Sequence, residues 1–274
     1  MATPSRTLFI LSDRTGITLE HLVRTLITQF DDMCCERMVL PFLDTPEKIE
    51  AAMREIDAAA REDGVQPVVF SSIVDEHLRS RLKEANAEIF DIFDIFLPGL
   101  SKAVGLTATQ HVGLSHGMGD PGEYDRRVEA VNFALNFDDG SRLRGLSDAD
   151  LILVGVSRSG KTPTCLYLAM QYAVRAANFP LTEDDFLLGK LPDAMREHRQ
   201  RLFGLTISPE RLHRIREERR PGSDYASLPQ CRKEVSAAEN LFRSNAIPFL
   251  DSTAVSIEEL SIEIMQRVGV ERHY

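Results

Sequence analysis

Residues 150–164 read Asp-Leu-Ile-Leu-Val-Gly-Val-Ser-Arg-Ser-Gly-Lys-Thr-Pro-Thr and contain a complete G-x-x-x-x-G-K-[ST] phosphate loop. The apolar run at 151–154 has the length and composition of a buried parallel strand, and helix-forming residues follow at 165–177. The motif requires this order of strand, loop and helix. The chain is therefore predicted to bind nucleotide phosphates; the alternative is a glycine turn that carries an exposed lysine.

The residue types of the motif suit this chemistry. Glycines let the backbone wrap closely around phosphate oxygens, and successive N–H groups at the start of a helix favour an anion. Lys161 is predicted to reach the terminal phosphates as a catalytic cation, and the Thr162 hydroxyl is predicted to hold Mg²⁺. The predicted cofactor-binding residues are Gly155, Val156, Ser157, Arg158, Ser159, Gly160, Lys161 and Thr162.

The composition narrows the class of protein. A chain of 274 residues with 43% hydrophobic and 27% charged residues is typical of a soluble globular protein with one large or two modest domains. The net charge of −10 argues against general nucleic-acid binding. No signal peptide and no apolar run of about 20 residues is evident, which predicts a cytoplasmic protein without a membrane span. The sequence is compatible with a homodimer but does not specify one.

The first half of the chain alternates strands and helices, which predicts a small doubly wound domain with a parallel sheet. Residues 98–119, which include His111 and His116, read as a long surface segment. A boundary near 140–148 gives an N-terminal α/β domain at 1–145 and a second domain at 146–274. The predicted strands are 7–11, 37–43, 67–71 and 89–97, and the predicted helices are 17–30, 46–61, 74–87 and 121–137.

The second half has the order of elements found in small phosphoryl-transfer kinases, so we predict a P-loop kinase-like α/β domain. The phosphate-loop strand and helix come first, and an arginine-rich helix at 208–220 follows the third strand. The other elements predicted here are strands at 178–181, 202–207 and 247–250, an acidic turn at 183–185 and a terminal helix from 256.

Outside the phosphate loop, two groups of residues are candidates for the chemistry. Asp184, next to Asp185, is predicted to be the base that orients the acceptor; the alternative is a solvated acidic turn. Arg216 and Arg219 are predicted to balance charge on the transferring group, since they share one side of a helix with Arg220; the alternative is a solvated face paired with acidic neighbours.

Weaker candidates complete the set. Asp251 reads as a turn and helix cap more readily than as a magnesium ligand. The turn at 12–16 is a possible second anion or partner site, but it lacks the full glycine fingerprint of a dinucleotide fold. Cys165 is predicted to pack inside a helix rather than act as a nucleophile.

Several segments together resemble the bacterial phosphoenolpyruvate synthase regulatory proteins, which are relatives of the plant pyruvate, phosphate dikinase regulatory protein. The resemblance spans almost the whole chain and is most specific between 155 and 220. Its segments are Gly-Val-Ser-Arg-Ser-Gly-Lys-Thr-Pro-Thr at 155–164, Leu-Tyr-Leu-Ala at 166–169, Ala-Asn-Phe-Pro-Leu at 177–181, Leu-Phe-Gly-Leu-Thr-Ile-Ser-Pro-Glu-Arg-Leu at 202–212, Ile-Arg-Glu-Glu-Arg-Arg at 215–220, Tyr-Ala-Ser-Leu at 225–228, Ser-Ile-Glu-Glu at 256–259, Asp-Asp-Gly at 138–140 and Ser-Asp-Arg-Thr-Gly-Ile-Thr at 12–18.

The resemblance implies a bifunctional regulator whose partner is phosphoenolpyruvate synthase. One activity would transfer the β-phosphoryl group of ADP to a threonine of that enzyme and inactivate it. The other would remove the phosphoryl group with inorganic phosphate, forming pyrophosphate and restoring activity. Two alternatives are a P-loop kinase of a small metabolite and a nucleotide-sensing module without catalysis.

Overall fold

The computed structural model describes residues 6–31, 35–109, 121–140, 144–188 and 190–270. The chain divides into two compact units, Met1–Gly117 and Met118–Tyr274. Each unit contains a four-stranded, all-parallel sheet with helices packed on both faces. This confirms the α/β class and the parallel sheets that the sequence predicts.

The N-terminal sheet has the strand order β2-β1-β3-β4. Strand β1 is central and buried, and its residues alternate between two cores, with Leu8 and Ile10 facing α1 and with Phe9 and Leu11 facing α2 and α3. The strands are β1 (Arg6–Leu11), β2 (Cys35–Leu40), β3 (Val68–Ser71) and β4 (Glu88–Asp91), and the helices are α1 (Ile17–Ile27), α2 (Pro46–Asp63), α3 (Glu76–Leu82) and α4 (Ile92–Val104).

The strand predicted at 89–97 is wrong in its second half, because the chain turns into α4 after Asp91. The Asp91 carboxylate accepts hydrogen bonds from the backbone N–H groups of Phe93 (3.0 Å) and Asp94 (3.1 Å), and so caps the new helix. Helix α4 also occupies 98–104, where we expected a surface segment. The rest of that segment from residue 110 onward, including His111 and His116, lies outside the described residues.

The turn at 12–16 uses its polar side chains to join two loops of the N-terminal unit. Buried Asp13 accepts a hydrogen bond from the backbone N–H of Val74 (3.2 Å), in the segment after β3. The Ser12 hydroxyl accepts one from the N–H of Arg14 (3.2 Å). These bonds explain the residue types structurally, and the role of the turn as an anion or partner site stays a prediction.

The C-terminal sheet has the strand order β6-β5-β7-β8, so the strand before the phosphate loop lies inside the sheet. Its strands are β5 (Leu151–Gly155), β6 (Ala176–Pro180), β7 (Leu202–Thr206) and β8 (Phe249–Asp251). Its helices are α5 (Pro121–Asn136), α6 (Lys161–Tyr172), α7 (Glu183–Leu188), α8 (Asp193–Arg196), α9 (Pro209–Arg219), α10 (Leu228–Ser244) and α11 (Ile257–Val268).

Helix α5 belongs to the C-terminal unit, so the division at 117/118 falls earlier than the boundary we expected at 140–148. Ala130 and Ala134 are buried in the same core as Leu168 of α6. Just after α5, the backbone of Phe137 accepts a hydrogen bond from Asn178 of β6 (3.0 Å). The small side chains of α5 therefore let it pack closely on the phosphate-loop helix.

Some boundaries in the C-terminal unit differ from the prediction. Helix α6 begins at Lys161, four residues early, and stops at Tyr172, because Ala173 adopts a left-handed conformation (φ 53°). The predicted acidic turn at 183–185 is the first turn of α7. Helix α10 was not predicted at all, although its buried residues recur with helical spacing at Cys231, Val235, Ala238, Leu241 and Phe242.

Candidate functional site

The phosphate loop has the predicted arrangement: β5 ends at Gly155, residues 156–160 form the loop, and α6 follows at once. Gly155 lies so close to β7 that a β-carbon there would be 2.3 Å from the backbone oxygen of Leu205. Gly160 and Arg158 both have positive φ angles, 92° and 78°. The backbone of Arg158 is strained, because residues other than glycine rarely adopt positive φ angles. Strain of this kind is concentrated at functional sites.

Lys161 folds back onto its own loop. Its side chain is buried, and Nζ donates a hydrogen bond to the backbone oxygen of Val156 (2.8 Å). Burial lowers the pKa of Lys161 from 10.5 to about 8, because the ammonium group loses its water, and the nearby carboxylates of Asp139 and Asp138 offset only part of this. The amine is therefore still mostly charged at neutral pH, but it loses its proton more readily than an ordinary lysine does.

We predict that the affinity for ADP, the nucleotide that the resemblance implies, falls as the pH rises through about 8, the pKa of Lys161. Only the charged amine attracts phosphate, and a bound anion favours the charged form, so binding above this pH must take up a proton. Calorimetry between about pH 7 and pH 9.5, in buffers of different ionisation enthalpy, measures both effects. A Lys161→Met variant should show neither, and an affinity of the native protein that is independent of pH would contradict the prediction.

Thr162 lies in a compact polar network with residues from outside the motif. Its Oγ1 donates a hydrogen bond to Oδ1 of Asp138 (2.9 Å), which follows α5. Asn178 Nδ2, from β6, donates to the same carboxylate oxygen (2.6 Å) and lies 2.9 Å from Thr162 Oγ1 and 3.3 Å from Oδ1 of Asp139. The network joins the loop threonine to two adjacent carboxylates.

These residues surround a cavity of about 580 Å³ beside the loop. The wall formed by the loop and α6 faces a wall formed by Asp138, Asp139 and Asn178, and α9 supplies a third side. The lining residues are Asp138, Asp139, Ser157, Arg158, Gly160, Lys161, Thr162, Pro163, Asn178, Ile215 and Arg219. The cavity thus combines three cationic side chains with two carboxylates, which suits a charged ligand that must also be oriented.

The two predicted catalytic arginines have different surroundings. Arg219 is exposed and lines the cavity. Arg216 is completely buried, with its guanidinium group 4.0 Å from the centre of the Tyr225 ring. It donates hydrogen bonds to the backbone oxygens of Tyr225 (3.0 Å) and Ser157 (3.1 Å) and to the carboxylate of Glu234 (2.6 Å). Arg216 therefore supports the loop through the backbone oxygen of Ser157, and of the two arginines only Arg219 lines this cavity.

We predict that methionine substitutions at these two arginines fail in different ways. Arg216→Met leaves the mostly buried Glu234 without its ion-pair partner and should cost about 3–5 kcal/mol of unfolding free energy. Arg219→Met should leave stability within about 0.5 kcal/mol, because the side chain is exposed. Its loss should instead slow the phosphoryl transfer that the sequence predicts about 100-fold. Urea unfolding and initial rates check both; equal losses of stability would contradict the distinction.

Asp184 is exposed on α7 and does not line this cavity. Its neighbour Asp185 accepts hydrogen bonds from the N–H and hydroxyl groups of Thr182 (both 2.8 Å), so it caps the helix. Asp251 forms a turn, as favoured, by accepting a bond from the N–H of Thr253 (2.8 Å), but the cap of the following helix is Ser256. Cys165 is buried in the core, where burial raises its thiol pKa, in agreement with a packing role.

Sequence reasoning missed Asp138, Asp139 and Asn178 as residues of the site. Asp138-Asp139-Gly140 stood out only as the end of a helix and as part of the family resemblance. One available signal was that Asp138 and Asp139 come shortly before the strand that leads into the loop. Another was that Asn178 pairs with Leu153 of that strand, β5. The packing of α5 on α6 brings Asp138 to Thr162, and the pairing of β6 with β5 brings Asn178 there.

A parallel α/β unit with a phosphate-loop motif that opens on this cavity defines a candidate phosphate-binding protein. Residues 8–265 match the family model described as "Kinase/pyrophosphorylase". The chain belongs to this kinase/pyrophosphorylase family, which supports a phosphotransferase activity.

Curated relatives are similar in sequence to this chain over nearly their whole length. The chain is 49% identical over 268 residues to a protein of Hahella chejuensis and 50% identical over 267 residues to one of Ectopseudomonas mendocina, with 97–98% of this chain and 98% of each relative covered. A protein of Pseudomonas aeruginosa is 47% identical over 269 residues, with 98% of both chains covered. All three carry the name "Putative phosphoenolpyruvate synthase regulatory protein".

No helix in the described ranges combines the length and the apolar character that a membrane crossing would need.

Proposed function

We propose that the protein is a bifunctional regulator of phosphoenolpyruvate synthase that uses ADP to phosphorylate a threonine and inorganic phosphate to remove the phosphoryl group. The observation that carries this proposal is the cavity in which Lys161, Arg219 and the phosphate loop face two carboxylates. Membership of the kinase/pyrophosphorylase family supports the pair of reactions. The names of the relatives support the choice of phosphoenolpyruvate synthase as the protein substrate.

In the forward reaction, the threonine hydroxyl oxygen of the target would attack the β-phosphorus of ADP, and the bond from that phosphorus to the bridging oxygen would break to release AMP. Loop N–H groups, Lys161 and Arg219 would stabilise charge on the phosphoryl oxygens. Positioning and electrostatics carry most of the rate in such transfers, so a cavity that supplies cations on two sides fits the task.

In the reverse reaction, an oxygen of inorganic phosphate would attack the phosphorus of phosphothreonine. The bond from that phosphorus to the threonine oxygen would break, so that pyrophosphate forms and the threonine oxygen takes up the proton that the attacking phosphate loses. Both directions place anions against the same loop. A second cavity of about 480 Å³ supports this, since it shares Ser157, Arg158 and Arg219 with the first and adds Arg216, Arg220 and Tyr225.

We further propose that Asp139, rather than Asp184, orients the acceptor hydroxyl and takes its proton. Asp139 lines the cavity, and it has a left-handed backbone (φ 53°) in the segment that holds its carboxylate beside Asn178. Mg²⁺ fits the same site, because Thr162 and Asp138 offer oxygen ligands, and it would neutralise charge on the phosphates.

The test incubates the purified protein and phosphoenolpyruvate synthase with ADP labelled at the β-phosphate. We expect label on a threonine of the target, and labelled pyrophosphate when unlabelled phosphate is then added. Labelled product that forms with small metabolites and without any target would instead indicate a small-molecule kinase. Nucleotide binding without any transfer would indicate a sensor.

Two matched substitutions address the base in the same assay. Asp139→Asn should lower the transfer rate by about 100-fold or more, the usual size of a general-base contribution. Asp184→Asn makes the same change on the exposed turn and should alter the rate less than about twofold. The opposite ranking would return the role to Asp184.

A further inference from the structure

The phosphate loop borders a third cavity, of about 440 Å³, whose charge differs from that of the first two. Ser157 lines all three cavities, so they meet at this loop residue. The first two contain arginine side chains, whereas the charged residues that line the third are Glu183, Asp224 and Glu234. Carboxylates repel nucleotide phosphates, so the third cavity is suited to a different part of the reaction.

The third cavity continues between α7 and α10. A smaller cavity of about 80 Å³ shares Glu183, Phe186 and Glu234 with it and extends to Ala237 of α10. We call the two together the α7–α10 groove, and the apolar side chains of Leu181 and Phe186 line it. Helix α7 has six residues and is therefore about 9 Å long. About three residues of an extended chain span that length.

The carboxylates of the groove differ in how far they are already neutralised. Glu234 is mostly buried and is paired with Arg216 (2.6 Å). Glu183 is exposed and forms a surface ion pair with Lys233 (3.2 Å), which is worth little in water. Asp224 is exposed and forms no ion pair with any residue in the described ranges. Glu183 and Asp224 are therefore the carboxylates that can attract a cationic partner.

We propose that the α7–α10 groove binds an extended segment of the protein acceptor that has a basic side chain close to the reacting threonine. The inference rests on the proposed function, because it assigns the partner's segment to the same site. The basic side chain would lie against Glu183 and Asp224, and apolar neighbours would pack on Leu181 and Phe186. The threonine would reach the first cavity past Ser157, which lines both cavities.

Tyr225 holds the border between the groove and the phosphate cavities. Its hydroxyl donates a hydrogen bond to Ser157 Oγ (3.0 Å), and its ring lies 4.0 Å from the guanidinium group of Arg216. Arg216 in turn bonds to Glu234 in the groove (2.6 Å) and to the backbone oxygen of Ser157 (3.1 Å). A segment in the groove would therefore lie against the residues that position the loop, which fixes the acceptor relative to the nucleotide.

The nucleoside part of ADP is the other candidate occupant. Carboxylates can bind ribose hydroxyls, and the rings of Phe186 and Tyr225 could stack on a base. The first cavity, at about 580 Å³, already has the size of a small-ligand site. The nucleotide therefore does not need the groove, and its affinity in groove variants distinguishes the two occupants.

The test measures the binding of two fluorescent peptides by anisotropy. The protein is first saturated with the α,β-methylene analogue of ADP, which cannot donate its phosphoryl group. One peptide is Ala-Arg-Thr-Arg-Ala, and the other has glutamate in place of both arginines. We expect the arginine peptide to bind about tenfold tighter than the glutamate peptide, because the groove is acidic.

Charge-reversal variants locate the binding. Asp224→Lys and Glu183→Lys should each weaken the arginine peptide about tenfold. Asp184→Lys makes the same charge change next to Glu183 but does not line the groove, so it should weaken the peptide less than about twofold. All three should keep native ADP affinity within about twofold. Thermal unfolding shows that each variant is folded, and the two groove positions lie on different elements, so either one suffices.

Four results would overturn the inference. They are an arginine peptide that binds no better than the glutamate peptide, a peptide that displaces the ADP analogue, groove variants that bind like the native protein, and an Asp184→Lys loss as large as that of Asp224→Lys. Loss of ADP affinity in the groove variants would also overturn it and would assign the groove to the nucleoside. The experiment uses neither phosphoenolpyruvate synthase nor catalysis, so failure of the regulatory function would leave this result intact. Failure here would leave the labelling experiment free to succeed.

Discussion

Replacing Lys161 with methionine should abolish both proposed reactions and at the same time make the folded chain more stable. The side chain is the cation at the start of α6, inside the loop that would hold the transferring group. Removing a positioned charge of this kind should lower both rates about 1,000-fold. Initial rates with labelled ADP and with labelled phosphothreonine measure the two losses.

The gain in stability follows from the pKa of Lys161. The difference between the ordinary value of 10.5 and about 8 in the folded chain corresponds to about 3 kcal/mol. Because the unfolded chain holds this proton more tightly, the penalty on the folded state is complete below about pH 8 and fades as the pH rises toward 10.5. Methionine removes it, so the unfolding free energy should rise by about 1–3 kcal/mol at pH 7, with less gain at about pH 9.5.

Lys233→Met provides the control for this experiment. Lys233 forms an exposed ion pair with Glu183 (3.2 Å) and should contribute less than about 1 kcal/mol. A Lys161→Met protein that retains either reaction, or one that is less stable than the native chain at pH 7, would show that the amine has another role.

The Gly155→Ala substitution should damage both the fold and the site. The added β-carbon would lie 2.3 Å from the Leu205 oxygen and 3.1 Å from Ser159 Oγ. Leu205 cannot withdraw easily, because β7 is paired with β5 and β8 inside the sheet. We expect a loss of about 3 kcal/mol or more of unfolding free energy, with ADP affinity falling because the loop must shift.

Gly99→Ala is the matched control, since a β-carbon at that helical position meets nothing within 4 Å. It should be neutral or stabilising by up to about 1 kcal/mol. Denaturant unfolding and an ADP titration of both variants make the comparison. Native stability in Gly155→Ala would show that the strand and the loop can separate without cost.

Sequence patterns predicted the secondary-structure elements whose conformation depends on residues adjacent in the chain. The loop motif and its flanks predicted the order of strand, turn and helix correctly, because a buried strand and a glycine loop are specified by neighbouring residues. The apolar run at 89–97 was wrongly predicted to be a strand throughout. Its hydrophobic pattern could not show that Asp91 would cap a helix. The apolar positions of α10 had helical spacing and could have been recognised.

Contacts between distant segments decided the rest of the site. The sequence placed Arg216 and Arg219 on one side of a helix, but which of them is buried depends on Tyr225 and Glu234, further along the chain. Likewise, Asp138 reaches Thr162 across 24 residues only because α5 packs on α6. Such contacts require tertiary packing that no local pattern contains.

The placement of α5 has a practical consequence for dividing the polypeptide. A fragment that starts at residue 146 would keep every residue of the phosphate motif and lose both carboxylates opposite it. Because the fragment lacks α5, it would also expose the side chain of Leu168, which is fully buried beside Ala130 and Ala134. We expect such a fragment to aggregate on expression, whereas one that begins at residue 118 keeps the unit whole.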